Sequence, residues 1–335
     1  METFHEEVRM PTDHGSTVVV FGSINADTCY RVQNLPLPGE TVVAETAVAS
    51  PGGKGANQAI AAAAAGSPTR MIGMVGSDAE AEPLLHALAD RGVETSGIER
   101  HATAPTGRAL VLVDEAGENS IVVLPGANGR LDAEFASQTV AVVEPGDVLV
   151  LQNEVPAAAN RAAARLAREA GANVVWNAAP APAGPDEIVH DIDLLVVNES
   201  ELVRLAALLG IRHDSSTDPD AMSRLLAATL AALRREGDAG ISGVCTLGAD
   251  GAVFVSGDSA GHVPALRVTA VDTTAAGDTV VGYLAAHHGM PLRDRLELAG
   301  AAGALAVTRE GASTSIPSLP DVRRALASTP ERTTE

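Results

Sequence analysis

Apolar positions along the chain fall into short unbroken runs separated by longer alanine- and leucine-rich stretches of helical period. "TVVVFGSI" (17–24) is the first run, and it ends in polar residues as a strand buried on both faces does. "TRMIGMVG", "DVLVLQ", "NVVWN", "DLLVVN" and "GVCTLG" repeat the pattern. Between and after them, helices are expected over 54–65, 79–91, 156–170, 199–209, 221–236, 276–288 and 292–307. Strand and helix in alternation imply βαβ crossovers, hence an α/β fold with a doubly wound, mostly parallel sheet flanked by helices.

Two stretches break that rhythm. Residues 28–49 and 107–124 carry strand-type residues and turn signals but no helical period, and "DEAGEN" within the second reads as a hairpin turn. A few antiparallel strands outside a parallel sheet form a small second layer, a β-sheet lid. No linker separates two units, so 16–330 reads as one α/β domain with the lid inserted, and 1–15 and 328–335 as disordered tails.

Composition narrows the partners. Of 335 residues, 46% are hydrophobic but only 2% aromatic, so the core must be built from Ala, Val, Leu and Ile. The net charge of -20, without any Lys/Arg-rich run, lacks the footprint of a nucleic-acid binder and repels anionic membranes. A bound nucleotide must then be held by backbone dipoles and a metal. The N-terminal stretch has no apolar h-region, and no run reaches the ~18 apolar residues of a membrane span, so a cytoplasmic protein is expected. Cys29 and Cys245 are far apart and suggest neither a disulfide framework nor a zinc site.

Four stretches could carry chemistry. "SPGGKGANQAIAAAAAG" (50–66) sets glycines directly before a helix. It is neither a Walker A loop, since Gly55 follows Lys54, nor a GxGxxG fingerprint. Its own residues leave open a cradle for a polar ligand or a tight strand–helix turn. "VDTTAAGDTVVGYLAAHHG" (271–289) places Ala275, Ala276 and Gly277 at a helix start and Asp278 in its first turn. Unpaired amides there make an anion site, and a neighbouring carboxylate can take a proton from an attacking hydroxyl; alternatively Asp278 only complements the helix dipole. In "VVNESEL" (196–202), Asn198 and Glu201 are three apart, either a capping box or an outer-shell magnesium site. "CTLGADGAVFV" (245–255) is strand, glycine turn, strand, either a plain hairpin or a support beneath a purine; "GDSAG" (257–261), despite its GxSxG form, precedes no helix and reads as a hairpin turn.

Taken in order, "GSINAD" (22–27), "PGET" (38–41), "GGKGANQA" (52–59), "PGAN" (125–128), "NAAPAPA" (177–183), "NESE" (198–201), "TLGADG" (246–251), "DTTAAGD" (272–278) and "AVTREGASTS" (306–315) resemble the ribokinase branch of the carbohydrate kinase family, over about residues 17 to 320. Ala276 fits that branch, since many others carry glycine there. The resemblance implies ATP-dependent phosphorylation of D-ribose at O5, with another sugar or a nucleoside as the alternative substrate. It implies that Asn25, Asp27, Gly52, Gly53, Lys54, Asn57 and Glu154 hold the sugar, and thereby favours the cradle. Asp278 becomes the base, and Ala275, Ala276 and Gly277 the anion hole. Asn198, the 246–251 turn (Thr246, Leu247, Gly248, Ala249, Asp250, Gly251), Gly277 and position 300 become the nucleotide site. Gly300 departs from the His or Asn that relatives place beside the nucleotide. Asn198 and Glu201 organise Mg2+ from the outer shell, while Asp272, Thr274, Ala306, Arg309, Gly311 and Ser315 match loops that hold an activating K+. A homodimer through the lids is also implied, and would cover the exposed edge and apolar face that lid strands present.

Overall fold

The first strand already shows why the chain layers as it does. In the computed structural model, which describes residues 16–116, 118–213, 215–234 and 240–328, Val18 and Val20 point into one apolar core and Val19 and Phe21 into another. A strand covered on both faces has no polar side, hence the unbroken apolar run. The expected tails at 1–15 and 329–335 lie outside the described residues; Ser328 closes the last helix.

From the N-terminus, β1 (Val18–Phe21) is followed by β2 (Asn25–Val32), β3 (Ala44–Gly52), α1 (Lys54–Ala64), β4 (Thr69–Gly76), α2 (Ala81–Asp90) and β5 (Val93–His101). Then come β6 (Gly107–Val113), β7 (Asn119–Leu124), α3 (Ala133–Thr139), β8 (Val148–Gln152), α4 (Ala157–Glu169), β9 (Asn173–Asn177) and β10 (Leu194–Asn198). The chain continues through α5 (Glu199–Leu208), α6 (Pro219–Leu233), β11 (Ser242–Thr246), β12 (Ala252–Ser256), β13 (Ser259–Val263), α7 (Ala276–Ala286), α8 (Leu292–Ala306) and α9 (Leu319–Ser328).

Among the described residues, nine strands form the large sheet in the order β13-β12-β11-β10-β9-β8-β1-β4-β5. Pairings are parallel from β11 to β5, and only β12 and β13 run antiparallel at one edge. Helices α3 to α6 cover one face and α1, α2 and α7 to α9 the other. The expected doubly wound α/β architecture is therefore present, and the "GDSAG" stretch turns from β12 into β13 as a hairpin.

The lid is a separate sheet ordered β3-β2-β6-β7, with β2 and β6 parallel and the outer pairs antiparallel. It reaches closer to the main sheet than 28–49 suggests: β2 starts at Asn25, β3 runs to Gly52, and 33–43 is a loop. Arg108 on β6 ties it to the body through Glu80 at 2.8 Å.

Other boundaries shift for local reasons. The helix expected at 221–236 begins at Pro219, because Asp218 caps it by accepting the Ala221 N–H at 2.8 Å; positions 235 and 236 lie outside the described residues. β5, α3 and α9 were not expected. β5, "VETSGIERH", is a polar edge strand whose charges replace the apolar run of its neighbours.

Candidate functional site

The site lies at the carboxyl ends of the central strands, where the helices of an open α/β sheet begin. Asn177 ends β9, Asn198 ends β10 and Thr246 ends β11, while Glu154 sits just beyond β8. A cleft of about 430 Å³ is lined by Lys54, Asn198, Glu201, Thr246, Gly277 and Asp278 among others. A second, of about 410 Å³ and bordered by Asn25, Asn128, Glu154 and the lid residue Val123, lies on the lid side.

Asp278, which lines the first cleft, is held by two side-chain donors. It is buried in the first turn of α7, where Asn57 Nδ2 donates to its Oδ2 at 3.0 Å and Gln58 Nε2 to its Oδ1 at 2.9 Å. Gly282, one turn on, lets α1 come this close: a Cβ there would stand 2.4 Å from the Ala61 Cβ and 2.6 Å from the Gln58 carbonyl oxygen. At the same helix start, Thr273 O accepts the Ala276 N–H at 3.3 Å, while the Gly277 and Asp278 amides have no acceptor among the described residues. Of the three residues expected as an anion hole, Ala276 is thus partly committed to a turn, and Gly277 stands in open space.

Glu154 is held on the opposite side. Its Oε2 accepts the Ser23 hydroxyl at 2.6 Å and the Lys54 N–H at 2.9 Å, so a carboxylate from the loop after β8 caps α1 across the fold. The Asp278 charge first, then Glu154 and Glu201, hold the Lys54 ammonium above its ordinary range despite burial. Asn128 binds the Ile24 amide and carbonyl as a strand neighbour would, and its Nδ2 also reaches Asn25 Oδ1 at 2.7 Å. That bond turns the Asn25 amide so that its own N–H groups remain for a ligand.

The glycines work differently from the expectation. Their missing side chains make room for protein rather than for a ligand alone. A Cβ on Gly52 would lie 1.8 Å from Asp27 Oδ2, and one on Gly53 (φ 88°) would lie 3.0 Å from the Asn25 nitrogen and Ser23 oxygen. Gly53→Val, which reads from sequence as a clean probe of a sugar cradle, therefore also strains the turn itself.

Asp27 is the most perturbed acid. Burial first, then the nearby Glu154 charge and the more distant Asp278, push its carboxyl up to about 7, against the backbone amides of Ala109 and Gly53. Its Oδ1 is buried without a partner, as is Asn57 Oδ1. Because the folded value exceeds the ordinary one, native protein keeps a proton that the unfolded chain releases. Stability present below about pH 4 is lost as the pH rises toward 7, by on the order of 2–4 kcal/mol. Asp27→Asn should relieve this: its melting temperature without sugar should gain on wild type between pH 5 and 8. A constant difference across that range would show that Asp27 is not a strained buried acid.

Asn198 and Glu201 form the capping box at the start of α5, with bonds of 2.9 and 2.8 Å, and line the first cleft as well. Burial raises the Glu201 carboxyl, offset in part by the Asn198 amide and Lys54. In the 246–251 turn, Thr246 and Gly248 reach the cleft; Leu247, Ala249, Asp250 and Gly251 shape it, with Leu247 N–H on Gly251 O at 2.7 Å. Gly300 lies within α8 and faces open space where a side chain would be. The two loops suspected of holding a cation are joined by Asp272, which accepts the Thr274 N–H and the Gly311 N–H, each at 2.9 Å. Against burial, the Thr274 hydroxyl first, then the Gly311 and Thr274 amides, keep its carboxyl below the usual range. Arg309 donates its N–H to Ala306 O at 3.2 Å, and Ser315 turns back on Ala312.

Sequence reasoning gave no role to Gln58, Ser23 or Asn128. A legible signal exists for Gln58: two adjacent amides, Asn57 and Gln58, interrupt an otherwise small and apolar helix.

The chain resembles known proteins in sequence and in fold. The pfkB family carbohydrate kinase profile matches residues 16–319. The ribokinase of Schizosaccharomyces pombe is 37% identical over 315 residues, covering 91% of this chain and 96% of that protein. The crystal structure of Thermotoga maritima ribokinase superposes with a TM-score of 0.81 at 31% identity, covering 93% of this chain and 100% of that one. Arabidopsis thaliana ribokinase, solved with ribose and ATP, gives 0.79 at 29% identity, with 94% and 99% covered. By fold, by the order of its motifs and by these likenesses, the chain belongs to the pfkB family of carbohydrate kinases.

Proposed function

We propose that the protein is a ribokinase, moving the γ-phosphoryl group of ATP to O5 of D-ribose. The observation that carries this is the buried Asp278, fixed by two amide donors beside the unpaired N–H groups of α7 and facing Lys54. Asp278 takes the proton of the 5-hydroxyl as its oxygen attacks phosphorus, and the bond to the ADP oxygen breaks. The α7 amides and Lys54 stabilise the charge on the transferring group, which needs positioning more than covalent help. Asn25, Asp27, Asn57 and Glu154 hold the sugar; the orphaned oxygens of Asp27 and Asn57 are the acceptors a hydroxylated ligand supplies with donors.

Four carboxylates around one lysine cannot neutralise a triphosphate. Magnesium brought by the nucleotide supplies that charge. Asn198 and Glu201 border the cleft, and because Glu201 Oε2 is already engaged by the cap, an outer-shell role fits the pair. Thr246 and Gly248 line the nucleotide end, and Gly300 leaves one contact there unfilled. The lid exposes Val48 and Ile121 by 60 and 56%, aligned across the sheet on one face through Cys29 and Val111, an apolar face that a second lid in a homodimer covers. Among the described residues no helix is long and apolar enough to cross a membrane.

A coupled kinase assay over ribose, 2-deoxyribose, other pentoses and adenosine tests the assignment: ribose should give the highest kcat/KM, and preference for another acceptor would replace it.

Potassium fits the paired loops. The carbonyls of Asp272, Thr274, Arg309 and Gly311 accept no hydrogen bond among the described residues, although Asp272 draws their loops together. An ion held there steadies the turn that leads into α7. Replacing sodium or Tris by potassium at constant ionic strength should raise kcat or kcat/KM for ribose. Cation-independent rates in buffer free of potassium and ammonium would remove this site and leave the base and sugar contacts standing.

A further inference from the structure

We propose that Gln58 is a positioning residue for Asp278, its amide direction dictated by Asn177; the inference rests on Asp278 acting as the base. Asn177 Nδ2 donates to the Val196 carbonyl at 3.0 Å, which leaves Asn177 Oδ1 as an acceptor. Gln58 Nε2 fills it at 3.0 Å and sends its second N–H to Asp278 Oδ1 at 2.9 Å. Reversing the Gln58 amide sets its oxygen against two acceptors at once, so one orientation survives. A backbone carbonyl of β10 thereby fixes, through two side chains, a donor aimed at the reacting carboxylate.

Gln58 is fully buried, and its Oε1 has no partner among the described residues. An orphaned buried carbonyl keeps the desolvation cost of a group without its hydrogen bond, a cost that an apolar side chain of similar size avoids. What the amide adds is the bond to Asp278. With Asn57 on Oδ2 and Gln58 on Oδ1, both carboxylate oxygens are held and the plane of the base is set before substrate arrives. Asn57 can also meet the sugar through its free Oδ1, whereas Gln58 acts through Asp278 alone. The other charges facing Asp278 are Lys54 on α1, Asp27 on β2 and Glu201 on α5; none replaces a donor on Oδ1.

Gln58→Met keeps the volume and removes the donor. The expected result is a kcat about 10-fold lower at pH 7 and an acid limb of the kcat profile about 0.5–1 pH unit higher, because a bond to the ionised form is lost. KM for ribose should stay within about 3-fold of wild type, since uniform binding is untouched. A wild-type kcat and profile, or a KM change alone, overturns the proposal. Should the variant fail to fold, the side-chain amide protons of Gln58 in 15N-labelled wild type provide the second measurement. They should shift with the same pH midpoint as the acid limb, and their invariance overturns it equally. Asp278→Asn runs alongside: retained turnover there removes the base itself, whereas a collapsed Asp278→Asn beside a normal Gln58→Met removes only the role of Gln58.

Discussion

Asp278→Asn should lower kcat for ribose by about 10²–10⁴-fold while changing sugar binding less than about 10-fold. The substitution removes the charge and the proton acceptor but almost no volume. Its one new demand is local, because the amide nitrogen that replaces a carboxylate oxygen meets an N–H from Asn57 or Gln58. Asn57 can answer it. Its own Oδ1 is buried without a partner, so turning that amide over offers an acceptor where a donor stood. The fold should therefore survive, and the loss should appear in kcat rather than in KM. Turnover above half of wild type would end the assignment of Asp278 as base. Loss of ribose binding with a lowered melting temperature would place the residue in the framework of the α1–α7 contact instead.

This prediction draws on both what the sequence displays and what it hides. The doubly wound sheet was legible because each central strand is buried on both faces and so reads as an unbroken apolar run. Asp278 was legible for a related reason: a helix start after small residues is a local feature, visible over a few positions. Gly282 was not, and Gln58 showed only as a second amide in an apolar helix, with nothing to name its partner. Their roles exist only where α1 crosses α7, 220 residues apart in sequence for the Gln58–Asp278 bond, and no local spacing announces a crossing. Glu154 makes the same point, since it caps a helix that begins 100 residues before it. The Asn198–Glu201 pair shows a limit of another kind. Its capping box and its place in the cleft are both present, so local pattern could not choose between two readings that are compatible. The glycine stretch was legible as a tight approach, but what approaches is the protein's own Asp27, Ser23 and Asn25.

That last finding yields the sharper test of the sugar site. Gly52→Ala should raise KM for ribose by about 100-fold or more with kcat at saturation much less affected. The Gly52 backbone is not in the left-handed region, so alanine meets no conformational penalty there. Its methyl carbon meets a single side chain instead: it would stand 1.8 Å from Asp27 Oδ2 and 2.4 Å from Cγ, so that carboxyl must swing away. Asp27 is already costly where it sits, its carboxyl pushed up to about 7 by burial and by Glu154, so its departure should not destabilise the apo protein. What departs with it is an acceptor for sugar hydroxyls, and hydrogen bonds to a charged group contribute about 1.5–3 kcal/mol each. Two such bonds account for the expected rise. Gly53→Val cannot separate binding from folding in this way, because its φ of 88° and the backbone 3.0 Å from its Cβ strain the turn directly. Measured together, KM and melting temperature decide the matter for Gly52→Ala. A raised KM with an unchanged or higher melting temperature assigns Asp27 to the sugar. Wild-type KM with an intact fold removes Asp27 from the site, and a collapsed melting temperature means that Gly52 serves the β2–β3 pairing rather than the ligand.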